Sequence, residues 1–288
     1  DLHLCDRRQR QMCIRDRDET ETKLTHSSIW CIVKDKQGTL WLGTYFGGVN
    51  FFNPEYENYN YYRFSNHPGN GLSSPIVGRM VEDNKGNLWI ATEGGGLNYY
   101  DRESHQFKWF KLNQVPNNNI SPNNLKSLYY DQENDILWIG THLGGLYRFV
   151  PKTGQFTNFR KEEGNPHTLP SDIVRDIEAY GKDSLIIATQ NGVCTFNRKD
   201  GRCTRLFQQH PEGRRIQMVA DVAFDKDHNL WIAATGEGVF RYNFQTSQLK
   251  NYRYSEADPH SISNNSVNNI NPDSKGNLWF ATSGSGLD

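Results

Sequence analysis

The 288-residue chain is short of several things at once. It has no apolar run approaching about 18 residues, so no stretch reads as a membrane-spanning helix. It shows no apolar signal-peptide core. No segment sustains a 3.6-residue apolar period, which argues against a helical protein. Charge of one sign is missing too: 32 basic residues face 33 acidic ones, for a net charge of −1. That balance argues against a broad nucleic-acid footprint or a membrane-surface patch. Cysteine is sparse and odd in number, at Cys5, Cys13, Cys31, Cys194 and Cys203. With no CxxC pair, neither a zinc site nor any other metal site or cofactor is expected. The GxSxG, HExxH and P-loop signatures are absent. The histidines are scattered singly, mostly in connectors (His67, His167, His210, His260), and read as solvated loop residues.

What the chain has in abundance is one phrase, repeated. Its variants are Thr39-Leu-Trp41-Leu-Gly-Thr44, Asn87-Leu-Trp89-Ile-Ala-Thr92, Ile136-Leu-Trp138-Ile-Gly-Thr141, Ser184-Leu-Ile186-Ile-Ala-Thr189, Asn229-Leu-Trp231-Ile-Ala-Ala234 and Asn277-Leu-Trp279-Phe-Ala-Thr282. The anchors at 41, 89, 138, 186, 231 and 279 are 48, 49, 48, 45 and 48 residues apart. A period in this range marks an array of identical supersecondary units.

Each unit reads as four short strands. In the second copy these are Ile76–Glu82, Leu88–Thr92, Leu97–Tyr100 and Gln106–Phe110, joined by the turn Asp83-Asn-Lys-Gly86, by Gly94-Gly-Gly96 and by Asp101-Arg-Glu-Ser104. Asx and Gly chemistry of this kind closes hairpins. Four antiparallel strands in about 45 residues is the pattern of a β-propeller blade. The anchor Trp is expected to be core, burying roughly 150–250 Å² between neighbouring sheets, with Ile186 filling that place in the fourth unit. The Gly at 48, 96, 145, 192, 238 and 286 reads as a position that a Cβ would obstruct. The fold class is therefore all-β, a propeller of four-stranded antiparallel blades. The blades are expected at about 28–62, 73–112, 123–160, 171–207, 216–254 and 264–288, the last cut short. About five and a half blades are expected, as part of a seven-bladed ring.

Residues 1–24 stand outside the pattern; 25–288 form the partial propeller. The charge-dense Asp1–Arg17 looks like translated adapter sequence, with a genuine basic tail as the alternative, and disorder or poor packing is expected in either case. Cys194 and Cys203 fall on neighbouring strands of the fourth unit. They are either a bridge formed in an oxidising compartment or two buried thiols. Polar, Pro-bearing connectors recur between units: Asn66–Ser74, Pro116–Pro122, Gly164–Pro170 and Ala257–Ser263, with a degenerate His210-Pro-Glu-Gly213.

The G-N-L-W-I-A/G-T…G-G-L phrase, the N-P-x-S-L/I-S-x-N connectors and the D-x-x-G turns together resemble the two-component regulator propeller repeat, over about 28–288. The resemblance implies the periplasmic sensor region of a bacterial hybrid two-component histidine kinase, in which two seven-bladed propellers precede a β-sandwich, a membrane helix and kinase and receiver modules. It implies a ligand, often an oligosaccharide released from complex glycans, and control of glycan-utilisation genes. It implies the missing blades and a downstream kinase of the same polypeptide as partners, and a homodimer of the full-length protein. None of the signalling motifs is present in this stretch, so the chain reads as non-enzymatic. The alternative is a propeller scaffold for protein–protein contacts, or part of a glycan-active enzyme. The D-x-x-G-x-L-W turn is similar to the Asp-box of sialidase propellers, but its spacing differs by one residue. Nothing in the sequence gathers Arg79, Arg175 and Tyr45 into a sialidase site.

In a propeller, starts of first strands and the loops between second and third strands converge at one face. The first group supplies Trp30, Arg79, Lys126, Arg175, Asp176, Asp221 and Asn268. The second supplies Tyr45, Phe46, Glu93, His142, Gln190, Asn191 and Glu237. Aromatic, amide and charged groups in such an array suit sugar hydroxyls, and three basic residues in successive blades (Arg79, Lys126, Arg175) favour an anionic ligand.

Overall fold

Four turns between first and second strands are each built by their leading carboxylate, three of them D-x-x-G and the fourth Asp225-Lys-Asp-His228. Asp35 Oδ1 accepts the backbone N–H of Gln37 and Thr39, both at 2.9 Å. Asp83, Asp225 and Asp273 repeat this with the residues two and four places on, at 2.8–3.0 Å. A side-chain acceptor so placed satisfies the donors that a tight reversal leaves open. In three blades the other carboxylate oxygen takes the indole N–H of the anchor Trp: Asp35 from Trp41 at 2.7 Å, Asp225 from Trp231 at 2.8 Å and Asp273 from Trp279 at 3.2 Å. The fixed Asp-to-Trp spacing of six residues is thus a tether that orients the indole.

The structure, a computed structural model, describes residues 24–53, 58–112, 121–207 and 216–288. The expectations for residues 1–23, with Cys5 and Cys13, and for connector residues 113–120 and 208–215 lie outside the described residues. The strands form six antiparallel sheets, each a simple meander in sequence order. Blade 1 holds Ile29–Lys34, Leu40–Thr44, Gly48–Asn53 and Asn58–Tyr62; blade 2 holds Val77–Glu82, Leu88–Thr92, Gly96–Asp101 and Gln106–Phe110. Blade 3 is Leu125–Asp131, Ile136–Thr141, Leu146–Val150 and Gln155–Phe159, and blade 4 is Val174–Tyr180, Ser184–Thr189, Gly192–Asn197 and Cys203–Arg205. Blade 5 is Val219–Phe224, Leu230–Ala234, Gly238–Asn243 and Gln248–Tyr252. Blade 6 has three strands, Val267–Pro272, Leu278–Thr282 and the two-residue Gly286–Leu287. The described residues contain strands and turns and no helix.

The turn from second to third strand explains the recurrent Thr and Gly. Thr44, Thr92, Thr141 and Thr282 each donate through Oγ1 to the carbonyl of the Gly four residues on, at 2.7–2.9 Å. That Gly has a left-handed φ, +84° at Gly96. A Cβ there would lie 2.6 Å from the Phe110 carbonyl oxygen, and at Gly145 only 2.3 Å from that of Phe159. Backbone conformation and the close approach of the fourth strand both demand glycine.

Two compact units divide the chain. One takes the described residues up to 160 with 172–174, and the other takes 161–171 and 175–288. In the first unit the first strand of blade 2 packs on the first strands of blades 1 and 3; in the second, the first strand of blade 5 packs on blades 4 and 6. Their cores lie between neighbouring sheets. Leu88, Ile90 and Tyr100 of blade 2 pack with Trp41 and Val49 of blade 1, and Val222 and Ile232 of blade 5 pack with Ile186 and Ala188 of blade 4. The anchor indole reaches an aromatic ring of the following blade: Trp41 to Tyr100 at 5.7 Å between centroids, Trp89 to Phe149 at 5.5 Å, Trp231 to Phe280 at 5.6 Å. Trp41, Trp89, Trp138 and Ile186 are buried. Trp279 departs from the expectation and is 44% exposed. No following sheet covers it among the described residues, and it stands in an open concavity with Asn269, Asn271, Pro272, Asp273, Ala281 and Leu287.

Cys194 and Cys203 are free, completely buried thiols. A hydrogen bond from thiol to thiol, together with burial, pushes the Cys194 pKa well up.

Candidate functional site

The first strand of a blade carries an irregularity that the sequence does not advertise. In blade 1 the pairing steps from Ile29↔Thr44 to Cys31↔Gly43, so Trp30 is an extra residue. Blade 3 steps from Leu125↔Thr141 to Ser127↔Gly140 around Lys126, and blades 5 and 6 do the same around Ala220 and Asn268. A bulge leaves its extra residue out of the ladder and re-aims the side chain. In blade 2 the shift lies between Val77 and Met80, and alignment with the other blades puts Gly78 at the extra position.

This bulge corrects the expected row of basic residues. Arg79 follows the extra position, so its counterparts are Cys31 and Ser127, not Lys126. Arg79 is half-buried. Its charge acts on the Cys31 thiol, whose pKa burial raises to about 11 against the lowering effect of Arg79. Lys126 is on the bulge but is not a free cation: its Nζ pairs with Glu93 Oε1, both side chains less than one-fifth exposed.

Five of the expected residues, Trp30, Tyr45, Phe46, Glu93 and Lys126, come together in the first unit. Trp30 stacks on Tyr45 with centroids 5.5 Å apart and planes inclined by 12°. Tyr45 meets Phe46 edge-on at 4.3 Å. Lys126 Nζ lies 5.7 Å from the Trp30 ring centroid while it pairs with Glu93. Trp30 is 51% exposed and Phe46 56%. The loop backbones are fixed from below, since the amides of Tyr45, Glu93 and His142 donate to the carbonyls of Ser28, Ile76 and Asn124 at 2.8–3.0 Å. The His142 side chain is half-buried.

Phe46 was legible as a loop residue, but its conformation was not. It has φ +67°, and Leu143 in blade 3 has φ +73°. The same loop position is Gly94 in blade 2, Gly236 in blade 5 and Gly284 in blade 6, with φ +77° to +81°. A left-handed bulky residue costs about 1–2 kcal/mol relative to a right-handed one, and strain of this kind concentrates at functional sites.

The remaining expected residues lie in the second unit. Arg175 is half-buried. The backbone carbonyl of Gln190 accepts the Met218 amide at 2.7 Å. Asp176 and Asp221 have another task than surface recognition. Both are buried, and their Oδ2 atoms accept backbone N–H groups of the next blade, Asp176 from Val222 at 3.2 Å and Asp221 from Ile270 at 2.7 Å. Asp221 also accepts from Asn269 Nδ2 at 3.0 Å. These carboxylates clasp blade to blade. Glu237 pairs with Arg253 at 2.9 Å, just past the fourth strand. The loop residue equivalent to Glu93 is Thr235, whose amide donates to Met218 at 3.0 Å. Aligning the six loops residue by residue gives this assignment from sequence. Among the described residues, no group of three or more His, Cys, Asp or Glu side chains converges as a metal site.

Three segments of the chain, residues 23–46, 71–94 and 261–284, match the two-component regulator propeller model. A histidine kinase of Formosa agariphila is 31% identical over 107 residues, a stretch that covers 33% of this chain and 7% of the kinase. The extracellular domain of a hybrid two-component system protein of B. thetaiotaomicron superposes with a TM-score of 0.78 at 21% identity, over 95% of this chain and 35% of that one. A virginiamycin B lyase of Staphylococcus aureus superposes at 0.65 and 13% identity, over 95% of this chain and 86% of the lyase. At these identities the structural likeness is one of fold, which an enzyme and a sensor share.

Proposed function

We propose that this chain, with its two-component regulator propeller repeats, is a ligand-sensing, extracytoplasmic propeller region of a hybrid two-component sensor kinase. On this reading its six sheets belong to a seven-bladed ring. It sits on the periplasmic side of the inner membrane, recognises oligosaccharides, and passes the signal to a kinase that controls glycan-utilisation genes. The observation that supports it best is the repeat phrase itself. The same matched segment occurs three times, in a chain that follows the extracellular domain of a hybrid system over 95% of its length. A framework of Asp, Trp, Thr and Gly that recurs along the chain holds the blades, while the loop residues Tyr45, Glu93, His142, Gln190 and Thr235 differ in chemistry from blade to blade. A scaffold with varied loops is suited to recognition.

The test is the reading frame around this chain at its genomic locus. A membrane helix and histidine-kinase motifs on the 3′ side are expected. A stop codon soon after Asp288, or a hydrolase-like module, would overturn the sensor reading.

A further inference from the structure

We propose that blades 1–3 carry a binding shelf for an uncharged pyranose sugar, formed by Trp30, Tyr45 and Phe46 and edged by the Lys126–Glu93 pair. The proposal deepens the sensing reading and rests on it for the class of ligand.

Four independent features build the shelf. The bulge in blade 1 takes Trp30 out of the strand ladder, and the bulge in blade 3 does the same for Lys126. Between them, blade 2 offers Gly78 at the equivalent place, so no side chain separates the indole from the ammonium. A Cβ on Gly78 would lie 3.1 Å from the Leu125 carbonyl oxygen. The near-parallel Trp30–Tyr45 stack and the edge-on Phe46 make one continuous aromatic surface. Trp30 and Phe46 remain about half exposed. Phe46 is held at a left-handed φ where three other blades use glycine. The Phe46 ring touches Tyr45 by its edge and leaves more than half of its surface open, so the left-handed backbone holds an aromatic face at the surface.

The chemistry of the edge selects the ligand. A pyranose presents an apolar face of ring C–H bonds, which an aromatic ring covers, and a rim of hydroxyls that each donate and accept. The Lys126–Glu93 pair supplies ammonium donors beside carboxylate acceptors at the margin of the shelf. A flat aromatic ligand would use the rings and leave this pair idle. A uronic acid would need a cation that Glu93 already holds. The local charge is balanced, which favours an uncharged sugar over the anionic ligand that a row of three basic residues suggested.

The experiment titrates the protein with maltohexaose, laminarihexaose, cellohexaose and mannohexaose, and separately with hexagalacturonate. Heat of binding and tryptophan fluorescence are followed. Trp30→Ala, Lys126→Met and Trp279→Ala are compared with the parent, each checked to be fully folded at the titration temperature by a cooperative melting transition well above it. Binding of at least one neutral hexaose is expected, weakened tenfold or more by Trp30→Ala, about fivefold by Lys126→Met, and unaffected by Trp279→Ala. Three outcomes would overturn the shelf. They are neutral-sugar binding that survives Trp30→Ala within twofold, binding of hexagalacturonate alone, and no binding of any of the five. The sensor reading stands or falls separately, on the reading frame.

Discussion

Arg102 of blade 2 places Nη2 2.8 Å from Oδ2 of Asp35 in blade 1. Its guanidinium carbon lies 5.0 Å from the Trp41 ring centroid, and Glu82 Oε1 is a further 3.6 Å contact. One side chain thus grips the Asp–Trp tether of the neighbouring blade by charge and by its flat face. Arg102→Ala should cost about 1.5–3 kcal/mol, the range for a hydrogen bond to a charged group. Asp35 would keep its indole and backbone donors, so the loss stays below that for an unpaired buried charge. Arg102→Lys should recover only part. Urea unfolding midpoints check this, and an alanine variant as stable as the parent would remove the clasp from the account.

Acid should loosen the blades through the same carboxylates. Burial acts to raise the pKa of Asp35 and Asp225, but hydrogen bonds from Trp41 and Trp231 and from the turn amides, with the Arg102 charge at Asp35, outweigh it and hold both below the usual range. At Asp273 the hydrogen bond from Asn277 leads, and the value falls to about 2. A depressed folded-state pKa means that the unfolded chain binds more protons. The stabilisation is therefore complete above about pH 4, the unfolded carboxylate value, and is lost as pH falls through the folded values. Melting temperature should drop between about pH 4 and pH 2, and Asp225→Asn should flatten that slope. A melting temperature constant to pH 2 would contradict it.

Two neighbouring glycines separate conformation from contact. Gly94 has φ +77° with open space around it, and Gly96 has φ +84° with the Phe110 carbonyl oxygen 2.6 Å from any Cβ. Gly94→Ala should cost about 1 kcal/mol, the conformational share alone. Gly96→Ala should cost about 1–3 kcal/mol more, as overpacking does. Equal melting temperatures for the two variants would refute the close-approach argument.

The anchor tryptophans should not be equal in energy. Trp89 is buried against Phe149, whereas Trp279 is 44% exposed. Trp89→Ala is expected to lose about 3–5 kcal/mol, and Trp279→Ala roughly 1 kcal/mol, nearer the value for surface positions. Denaturation curves of both proteins decide it, and the reverse ranking would show that packing between blades is not the source.

Phe46→Gly tests stability against recognition. It removes the cost of a left-handed bulky residue but frees the unfolded chain, so the two effects oppose each other. Stability should stay within about 1 kcal/mol of the parent, while binding of the neutral hexaose falls at least tenfold. A large loss of stability with unchanged affinity would mean that Phe46 is a structural residue.

The blade was legible in the chain alone. Its period, the Asp and Gly of its turns, the apolar second strand and the obligatory Gly before the third are local demands. Each is satisfied within one blade, by residues no more than about fifteen places apart, so each can be read from spacing. Trp30, Tyr45, Glu93 and Lys126 were also legible as neighbours, because repeated units put equivalent positions on one face.

Tertiary structure decided the rest. The bulge shifts Arg79 out of step with Lys126, and only strand pairing reveals an unpaired residue. Asp176 and Asp221 look like surface acids, yet each is buried because a backbone N–H of the next blade needs an acceptor. Glu93 neutralises Lys126 from another loop, which composition cannot show. These outcomes depend on which groups meet across sheets, whereas the repeat specifies the sheets one at a time.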